Sequence, residues 1–432
     1  MEDYDIFKRM KETEKIVFKG KAREAYDAIL EGKSIFLTGP AGTGKTTIIK
    51  HFNETYRYGK VIAITSTTGT SALLIGGTTL HSYLGIGLGQ ESVADLAERI
   101  MTRPYLKKRW NSLEVLVIDE VSMLSAELFD KLEELARTVR YGNLMNPKPF
   151  GGIQLILSGD FYQLPCVNGE FCFKAKSWSK CVSEIFTLTD IMRQTDTEFQ
   201  NCLNNVRIGN LTEATLDTLH QCVGKVLEPV DGIIPTRLYS HNADVDALNE
   251  SELDRLAEDG AEFVDYTMSI DIVGSVRDPI AERNRIIKNS LTPYNLQICK
   301  GAQVMLTINL DVANGLANGS RGVVIDFVND LPMVRFMNGE ERVIESFVRD
   351  VTENNLHKAR VTQIPLKVAY ALSIHKSQGC SLDYMIADLG KIFEYGQAYV
   401  ALSRARSLEG LSIISLVPER IQAHPEVKEQ GF

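Results

Sequence analysis

The sequence lacks several features that would place it in a specialised class. It has no run of roughly 18 apolar residues, so no membrane-spanning helix is expected. Its seven cysteines form no CxxC pair, which argues against a zinc ribbon or a dithiol redox site and favours reduced, mostly buried thiols. The first residues are acidic and resemble neither a secretion signal nor an Arg-rich transit peptide. We therefore expect a cytoplasmic protein.

The sequence also lacks an excess of positive charge. Its 47 Lys and Arg residues and 56 Asp and Glu residues give a formal net charge of −9 at pH 7. This balance favours solubility and does not by itself indicate a nucleic-acid binder, although a local basic groove is enough for one. The 432 residues contain no tandem repeat and no low-complexity stretch, and 44% of them are hydrophobic. Length and composition therefore indicate a soluble globular protein of several domains.

Short apolar runs alternate with helical patterns, which predicts parallel sheets covered by helices. Residues 263–360 differ, because their short strands are separated by Asn-Gly turns that favour a small antiparallel barrel or sheet. We interpret this segment as a β module inserted into an α/β domain. Leu and Val residues three or four positions apart between 124 and 139 predict one helix. The predicted strands are Ser34–Thr38, Val61–Thr65, Val115–Asp119, Gln154–Ser158, Phe186–Thr189, Arg237–Ser240, Val368–Leu372, Tyr384–Asp388 and Leu411–Leu416, with Gln303–Leu306, Gly322–Phe327, Met333–Phe336 and Arg342–Ile344 in the β module.

The strongest functional motif is GPAGTGKT at residues 39–46. It follows an apolar strand and precedes a helical segment, which is the context that a P-loop requires. In such a loop the backbone N–H groups surround the phosphates, Lys45 reaches the β- and γ-phosphates, and Thr46 offers its hydroxyl to Mg²⁺. The predicted nucleotide-binding residues are Gly39, Ala41, Gly42, Thr43, Gly44, Lys45, Thr46 and Thr47.

A second apolar strand ends in two carboxylates. Asp119 is placed to hold Mg²⁺, and Glu120 is the candidate to orient and deprotonate the attacking water. A hydrolytic glutamate argues against a kinase, which must exclude water. Gln163 follows another apolar strand and is either a γ-phosphate sensor or an ordinary loop residue. Arg193 and Arg404 are candidate arginine fingers, although residue chemistry alone favours ordinary exposed arginines.

An ordered set of motifs from about Gly32 to Leu416 resembles the petite-integration-frequency (PIF) family of DNA helicases. These are superfamily-one enzymes, related to the RecD type, that move 5′ to 3′. The stretch most specific to the family is Leu135-Ala136-Arg137 with Phe150-Gly151-Gly152-Ile153-Gln154-Leu155. The other motifs are GPAGTGKT at 39–46, TTGTSA at 67–72, GTTLHS at 77–82, IDEVSM at 118–123, GDFYQLP at 159–165, LT at 188–189, RQ at 193–194, SIHKSQG at 373–379 and YVALSRA at 399–405.

The resemblance implies an α/β fold with two RecA-like P-loop domains that contain parallel sheets, a small inserted SH3-like β module and a short wedge loop. The first ATPase domain is expected at 1–188, with the wedge loop at about 83–92. The second RecA-like domain is expected at 189–262 and 361–432, and the SH3-like subdomain at 263–360.

The resemblance also implies roles for single residues. Gln163 becomes a γ-phosphate sensor, and Arg193 and Arg404 become fingers that reach the nucleotide from the second domain. Single-stranded DNA is expected along two segments of the chain. The residues expected there are Thr67, Thr68, Gly69, Thr70, His81, Ser373, His375, Lys376 and Gln378.

Several of these assignments have structural alternatives. The threonines at 67–70 could instead cap a helix, and His81 could be a structural residue. Phe161 and Tyr162 are candidates for stacking on bases, with core packing as an equal alternative. The basic run at 102–110 either lines the DNA path or is a solvated helix face, and we favour the solvated face.

Two departures from the family pattern stand out. Ala22 occupies the position where the family usually has a glutamine that reads adenine, so strict preference for ATP is less secure. Pro165 is followed by Cys166, where the family often has a second proline. Neither departure removes a residue of the predicted hydrolytic site.

The expected function is that of an ATP- and Mg²⁺-dependent DNA helicase that translocates 5′ to 3′ on single-stranded DNA. Forked or structured DNA is the expected substrate, with G-quadruplexes and RNA–DNA hybrids as further candidates, in DNA repair, recombination and telomere maintenance. We expect a monomer, no membrane partner, and a bacterial or phage-like source. The alternatives are a P-loop ATPase that remodels a protein partner and a DNA-binding scaffold. The motifs around His375 and Arg404 argue against the first, and the intact hydrolytic residues argue against the second.

Overall fold

The chain divides into two compact units. The computed structural model describes residues 17–142, 148–167, 169–194, 196–273, 278–288, 290–311, 314, 316, 318–353 and 356–432. The first unit runs to Arg193 and also includes Ala423–Phe432, and the second unit is Gln194–Gln422. Residues 189–193 and 423–432 therefore fall in the first unit, whereas the sequence analysis assigned them to the second domain.

A six-stranded parallel sheet forms the centre of the first unit, in the order β3-β2-β4-β5-β1-β6. Strands β1 and β4 are buried along their whole length and are apolar up to their last residues, Thr38 and Asp119, as expected for strands that helices cover on both faces. The strands are β1 Ile35–Thr38, β2 Ile62–Ser66, β3 Thr78–Thr79, β4 Val115–Asp119, β5 Gln154–Ser158 and β6 Glu184–Thr187. The helices are α1 Gly20–Leu30, α2 Lys45–Tyr56, α3 Gly69–Leu74, α4 Leu80–Leu84, α5 Val93–Met101, α6 Pro104–Ser112, α7 Ala126–Tyr141 and α8 Trp178–Cys181, with 3₁₀ turns at Val121–Met123, Pro149–Gly152 and Cys172–Lys174.

The parallel arrangement determines where the functional loops lie. The P-loop follows β1, Glu120 follows β4, and the segment that begins with Gly159 follows β5. Because parallel strands end at the same edge of a sheet, these three loops leave the sheet side by side. This carboxyl edge is where open α/β sheets bind their ligands.

Helix α7 confirms the helix predicted from apolar spacing. The Ser125 hydroxyl accepts a hydrogen bond from Leu128 N at 3.2 Å and caps its start, and Gly142 ends it with a φ of 64°. Its buried face carries Phe129, Leu132, Leu135, Ala136 and Val139. Burial of each such leucine stabilises the fold by about 1.5–3 kcal/mol relative to an exposed one.

Helix α6 differs in part from its prediction as a solvated face. Lys107 and Lys108 are exposed, but Arg109 and Trp110 are buried. The Arg109 guanidinium donates to the carbonyl oxygen of Tyr83, and Trp110 Nε1 donates to Leu84 O at 3.0 Å. The buried residues of the basic run therefore anchor the end of α4.

The second unit combines a four-stranded parallel sheet with an inserted β module. The parallel sheet has the order β18-β7-β19-β20, and the β module contains antiparallel sheets in the orders β14-β13-β12-β11-β17, β15-β16-β9 and β10-β8. The strands are β7 Thr236–Tyr239, β8 Phe263–Thr267, β9 Ser269–Ile272, β10 Asn295–Cys299, β11 Gln303–Leu306, β12 Arg321–Val328, β13 Leu331–Phe336, β14 Glu341–Val343, β15 Phe347–Glu353, β16 Leu356–Gln363, β17 Leu366–Val368, β18 Ala371–Ser373, β19 Met385–Asp388 and β20 Leu411–Ser415. The helices are α9 Thr197–Ile208, α10 Glu213–Cys222, α11 Asn242–Glu258, α12 Pro279–Lys288 and α13 Gln397–Leu402, with 3₁₀ turns at His375–Ser377 and Pro418–Arg420. Helix α14, Pro425–Gln430, belongs to the first unit.

One predicted strand, Val368–Leu372, proves to be two. Strand β17 pairs antiparallel with β11 in the β module, whereas β18 pairs parallel with β7. Asn249 on α11 marks the change, because its Oδ1 accepts hydrogen bonds from Tyr370 N at 3.1 Å and Ala371 N at 3.0 Å. The antiparallel sheet therefore extends beyond the predicted end of the module at 360.

Within the described part of the chain, every helix is too short or too polar to cross a membrane.

Candidate nucleotide site and nucleic-acid interface

The P-loop is enclosed by the chain that follows β6. Gly39 and Gly42 have φ angles of 133° and 83°, a region that favours glycine. An ideal Cβ would lie 2.1 Å from Leu188 O at Gly39, and 2.6 Å from Arg193 Cβ at Gly42. Met192 N donates to Gly42 O at 2.9 Å. Glycine is therefore required at both positions by backbone angle and by lack of space.

Lys45 lies at the first turn of α2 and points back into the P-loop. Its Nζ donates to Gly39 O at 2.7 Å and to Pro40 O at 2.9 Å. Thr46 beside it is half-buried, and Thr47 is exposed. The lysine ammonium and the N-terminus of α2 thus face the same loop, an arrangement that attracts phosphate groups.

Asp119 ends β4 at the same edge of the sheet as the P-loop that carries this lysine. Asp119 is only 6% exposed, and its Oδ2 accepts a hydrogen bond from the Ser71 hydroxyl at 3.3 Å. Burial raises the pKa of Asp119, and the positive charge of Lys45 opposes that shift. Strands β1 and β4 flank β5 and end at the same edge of the sheet, so the structure places the predicted phosphate-binding and metal-binding groups at that edge.

Glu120 has an unusual backbone conformation. Its φ of 52° and ψ of 45° place it in the left-handed region, which few non-glycine residues adopt. Its side chain is half-buried at the carboxyl edge of the sheet. Backbone strain of this kind persists where the surroundings impose it, and it is concentrated at functional sites.

The loop after β5 presents Gln163 from a tight turn. Asp160 Oδ1 accepts a hydrogen bond from Tyr162 N at 3.2 Å, and Gln163 N donates to Asp160 O at 2.9 Å. Gln163 is buried. Phe161 and Tyr162 are buried as well, so core packing is the correct alternative for both. The ring of Phe161 lies 4.9–5.0 Å from the rings of Phe36, Phe173 and Phe432.

The two candidate arginine fingers have different surroundings. Arg193 is half-buried in the first unit beside Gly42 of the P-loop, not in the second domain as expected. Arg404 is buried in the second unit, where its Nε donates to Val400 O at 2.9 Å and its Nη2 to Ser403 Oγ at 2.8 Å. The assignment of either residue as a finger stays a prediction.

The threonines expected on DNA make hydrogen bonds within the first unit. Thr67 Oγ1 donates to Glu120 O at 2.9 Å. Thr68 Oγ1 accepts from Ser71 N at 3.2 Å and so caps α3, which is the alternative that the sequence left open. Gly69 begins α3, and the side chain of Thr70 lies outside the described residues. Contact with DNA by this segment stays a prediction.

The predicted wedge loop carries an exposed leucine. Gly87 and Gly89 flank Leu88 with φ angles of 60° and 71°, and Leu88 is 80% exposed. Ile86 is fully buried and anchors the loop, while Lys131 Nζ donates to Gly89 O at 2.9 Å. The loop is therefore fixed at its base and presents one apolar side chain to solvent.

His81 lies at the start of α4, beneath this loop. An ideal Cβ on Gly89 would lie 3.9 Å from His81 Cδ2. Burial lowers the pKa of His81 below its ordinary value of 6.5, which favours the neutral ring.

In the second unit the SIHKSQG motif forms a single 3₁₀ turn after β18. Gly379, with a φ of 79°, ends the turn. Lys376 is exposed and His375 is half-exposed, whereas Ser373 and Gln378 are buried. Among the residues that the structure describes, Gln378 Nε2 has no hydrogen-bond partner, which is unusual for a buried amide.

An aromatic pair that no sequence motif indicated lies at the same edge of the second sheet. Phe393, which is 60% exposed, stacks on His241 with ring centroids 5.1 Å apart and an interplanar angle of 18°. The neighbouring Glu394 lies 3.7 Å from Nε2 of His375. The loops that carry His375, His241 and Phe393 follow β18, β7 and β19, which are neighbours in the sheet. The strand order brings these side chains together, and the spacing of residues in the sequence does not reveal that order.

The first unit carries a P-loop beside an Asp-Glu pair on a parallel sheet, and the second unit contains a parallel sheet of its own. These features define a P-loop nucleotide hydrolase of the two-domain, RecA-like class. The chain belongs to the PIF1-like helicase family. The model of that family matches residues 13–217, and a model described as the 2B domain of DNA helicase Pif1 matches residues 283–327 within the β module. The family resemblance seen in the motifs is thereby confirmed.

Three similar proteins illustrate the relationship. Uncharacterized protein 030L of Invertebrate iridescent virus 6 is 39% identical over 93% of this chain and 91% of its own length. ATP-dependent DNA helicase PIF1 of Xenopus laevis is 42% identical over 93% of this chain, which spans 62% of that protein's length. The crystal structure of Pif1 helicase from Bacteroides in complex with ADP-AlF₃ and single-stranded DNA has 30% identity, a TM-score of 0.65 and 96% coverage of each chain.

Proposed function

We propose that this protein is an ATP-dependent DNA helicase that moves 5′ to 3′ along single-stranded DNA and unwinds forked or structured DNA. The observation that carries the proposal is the position of Lys45, Asp119 and Glu120 at one edge of the first sheet, at the ends of β1 and β4. Family membership supports the DNA substrate and the direction. The proposed working form is a monomer, and G-quadruplexes and RNA–DNA hybrids are further proposed substrates.

The proposed cofactors are ATP and Mg²⁺. Mg²⁺ prefers oxygen ligands and is commonly held by one or two carboxylates together with substrate phosphates. The Asp119 carboxylate and the Thr46 hydroxyl suit this chemistry. Among the described residues no cluster of three or more acidic, His or Cys side chains forms a protein-only metal cage. When bound, the ion neutralises charge on the phosphates.

The proposed reaction is attack of water on the γ-phosphorus. The bond from that phosphorus to the oxygen of ADP breaks, and the Glu120 carboxylate accepts the proton of the water. Lys45 stabilises the charge on the phosphate oxygens. Gln163 is proposed as the sensor of the γ-phosphate, and Arg193 as a group that stabilises the transferring phosphoryl from beside the P-loop.

Arg404 is proposed as the finger of the second unit. Its guanidinium is buried and donates to Val400 O and Ser403 Oγ, with Nη1 3.5 Å from Ser377 O. Some of these hydrogen bonds would have to be exchanged for contacts with phosphate. Since Ser377 belongs to the SIHKSQG motif, such an exchange would change the turn that carries His375 and Lys376.

Single-strand binding is proposed along the exposed polar and aromatic groups of both units. Proteins that bind single strands without sequence preference combine cations along the backbone with aromatic rings on which bases stack. Lys376 and His375 supply the polar groups in the second unit, and the Phe393–His241 pair supplies an exposed ring face. The solved Bacteroides Pif1 structure contains single-stranded DNA, which supports DNA as the ligand.

Unwinding of forked substrates tests the proposal directly. A fork with a 5′ single-stranded tail should be separated in the presence of ATP and Mg²⁺, and a fork with only a 3′ tail should not. Separation of the 3′-tailed fork alone would contradict the proposed direction. Hydrolysis that no nucleic acid stimulates would favour an ATPase that remodels a protein partner.

The wedge loop yields a prediction of its own. Leu88→Ala should reduce unwinding of 5′-tailed forks by about tenfold, while hydrolysis stimulated by single-stranded DNA stays near the wild-type rate. The reason is that Leu88 presents an exposed apolar side chain, which we expect to act only where the two DNA strands separate. The two rates are measured on the same preparation. The matched control is Val167→Ala, which removes an equally exposed apolar side chain elsewhere in the first unit.

An equal loss of unwinding in both variants, or a loss of stimulated hydrolysis in Leu88→Ala, would contradict the wedge assignment.

A further inference from the structure

The segment 66–71, which begins at the last residue of β2, is hydrogen-bonded to Asp119 and Glu120 at the end of β4. Ser66 Oγ and Thr67 N both donate to Asp119 O at 3.2 Å. Thr67 Oγ1 donates to Glu120 O at 2.9 Å, and Ser71 Oγ donates to Asp119 Oδ2 at 3.3 Å. Two backbone carbonyls and one carboxylate oxygen of the Asp-Glu pair are thus held by one short segment.

The hydrogen bond to Glu120 O acts on a residue whose backbone lies in the left-handed region. Glu120 has left-handed φ and ψ, and its carbonyl also accepts a hydrogen bond from Met123 N at 3.1 Å. A non-glycine residue keeps such a conformation only when its surroundings fix it. The Thr67 hydroxyl is the side-chain group that fixes the Glu120 carbonyl from the neighbouring strand.

We infer that Thr67 is a positioning residue for Glu120, and that its hydroxyl sets the rate of hydrolysis through the Glu120 backbone and not through contact with DNA. This inference rests on the proposed function of Glu120. The orientation of a water-activating carboxylate strongly affects rate, because small misplacements of a catalytic group are costly. The next residues, Thr68 and Gly69, belong to the segment expected on DNA, so the same hydrogen bond links that segment to the hydrolytic site.

Three substitutions separate this role from the alternatives. Thr67→Val keeps the shape of the side chain and removes the hydroxyl, whereas Thr67→Ser keeps the hydroxyl. The matched control is Thr65→Val, because Thr65 Oγ1 donates to Val117 O at 2.6 Å between the same two strands but away from the carboxylates. The measurements are kcat and KM for ATP at saturating single-stranded DNA, and the Kd for that DNA without nucleotide.

Thr67→Val should lower kcat by about tenfold, with KM and Kd changed by less than about threefold. Thr67→Ser should restore most of the wild-type kcat, and Thr65→Val should resemble the wild type. A fall in kcat without a change in KM identifies a group that acts on the transition state and not on binding.

Two results would overturn the inference. Weaker DNA binding by Thr67→Val with an unchanged kcat at saturating DNA would mean that the hydroxyl contacts DNA. Equal losses of kcat in Thr67→Val and Thr65→Val would mean a general loss of strand packing. If DNA does not stimulate the wild type, the proposed function fails, and the DNA-free kcat of these variants still decides whether Thr67 positions Glu120.

Discussion

Lys45→Ala should abolish ATP hydrolysis, with kcat reduced by on the order of 10³-fold, since removal of one charge-stabilising donor from a preorganised site costs about 10²–10³ in rate. The Lys45 ammonium already points into the P-loop, where Gly39 O and Pro40 O accept its hydrogen bonds at 2.7 and 2.9 Å. An alanine side chain cannot reach the phosphates or neutralise their charge. Steady-state release of phosphate measures the effect.

Single-strand binding by Lys45→Ala should be largely retained, because the groups proposed to contact DNA lie in other loops. The control is Lys50→Ala, which removes a lysine from the same helix more than one turn beyond Lys45, and its hydrolysis should stay near the wild-type rate. Retained hydrolysis in purified Lys45→Ala would contradict the assigned site. Loss of both activities together with a lower melting temperature would indicate misfolding instead.

Glu120→Gln should lower kcat by about 10²–10⁴-fold, the usual contribution of a positioned general base. The glutamine keeps the shape of the side chain and the backbone hydrogen bonds from Thr67, but it cannot accept a proton from water. ATP binding should therefore persist while hydrolysis is lost. Binding of a fluorescent ATP analogue and release of phosphate, measured on the same sample, distinguish the two effects.

Glu114→Gln provides the control, because Glu114 is exposed and directly precedes the first residue of β4, at the opposite end of the same strand. It should hydrolyse ATP at the wild-type rate. Loss of ATP binding in Glu120→Gln would show that this carboxylate holds the nucleotide or its cation. A wild-type kcat would assign the water-activating role to another group.

The sequence predicted the nucleotide site because its signal is local. GPAGTGKT at 39–46 needs only an adjoining strand and helix, and the apolar run at 115–119 is a strand at the predicted bounds. The periodic spacing of apolar residues likewise predicted α7, although Leu124 precedes the helix and Leu128 is only partly buried. The structure confirms the elements that these short-range patterns predicted.

Features that depend on distant parts of the chain were missed. Nothing in the run 366–373 reveals that it serves two sheets, since the change is fixed by Asn249 from α11. The burial of Phe161 depends on Phe432 at the opposite end of the sequence. Thr67 was expected on DNA, and its bond to Glu120 O becomes visible only once β2 and β4 are seen to be neighbours.

The central claim is that hydrolysis at the P-loop is coupled to single-stranded DNA. Hydrolysis of ATP by the wild type, measured with Mg²⁺ across a titration of a single-stranded oligonucleotide, tests it most directly, with Glu120→Gln as the blank. We expect a large, saturable increase in kcat that is absent in the blank. A rate that neither DNA nor RNA changes at saturation would contradict the claim and favour an ATPase that acts on a protein partner.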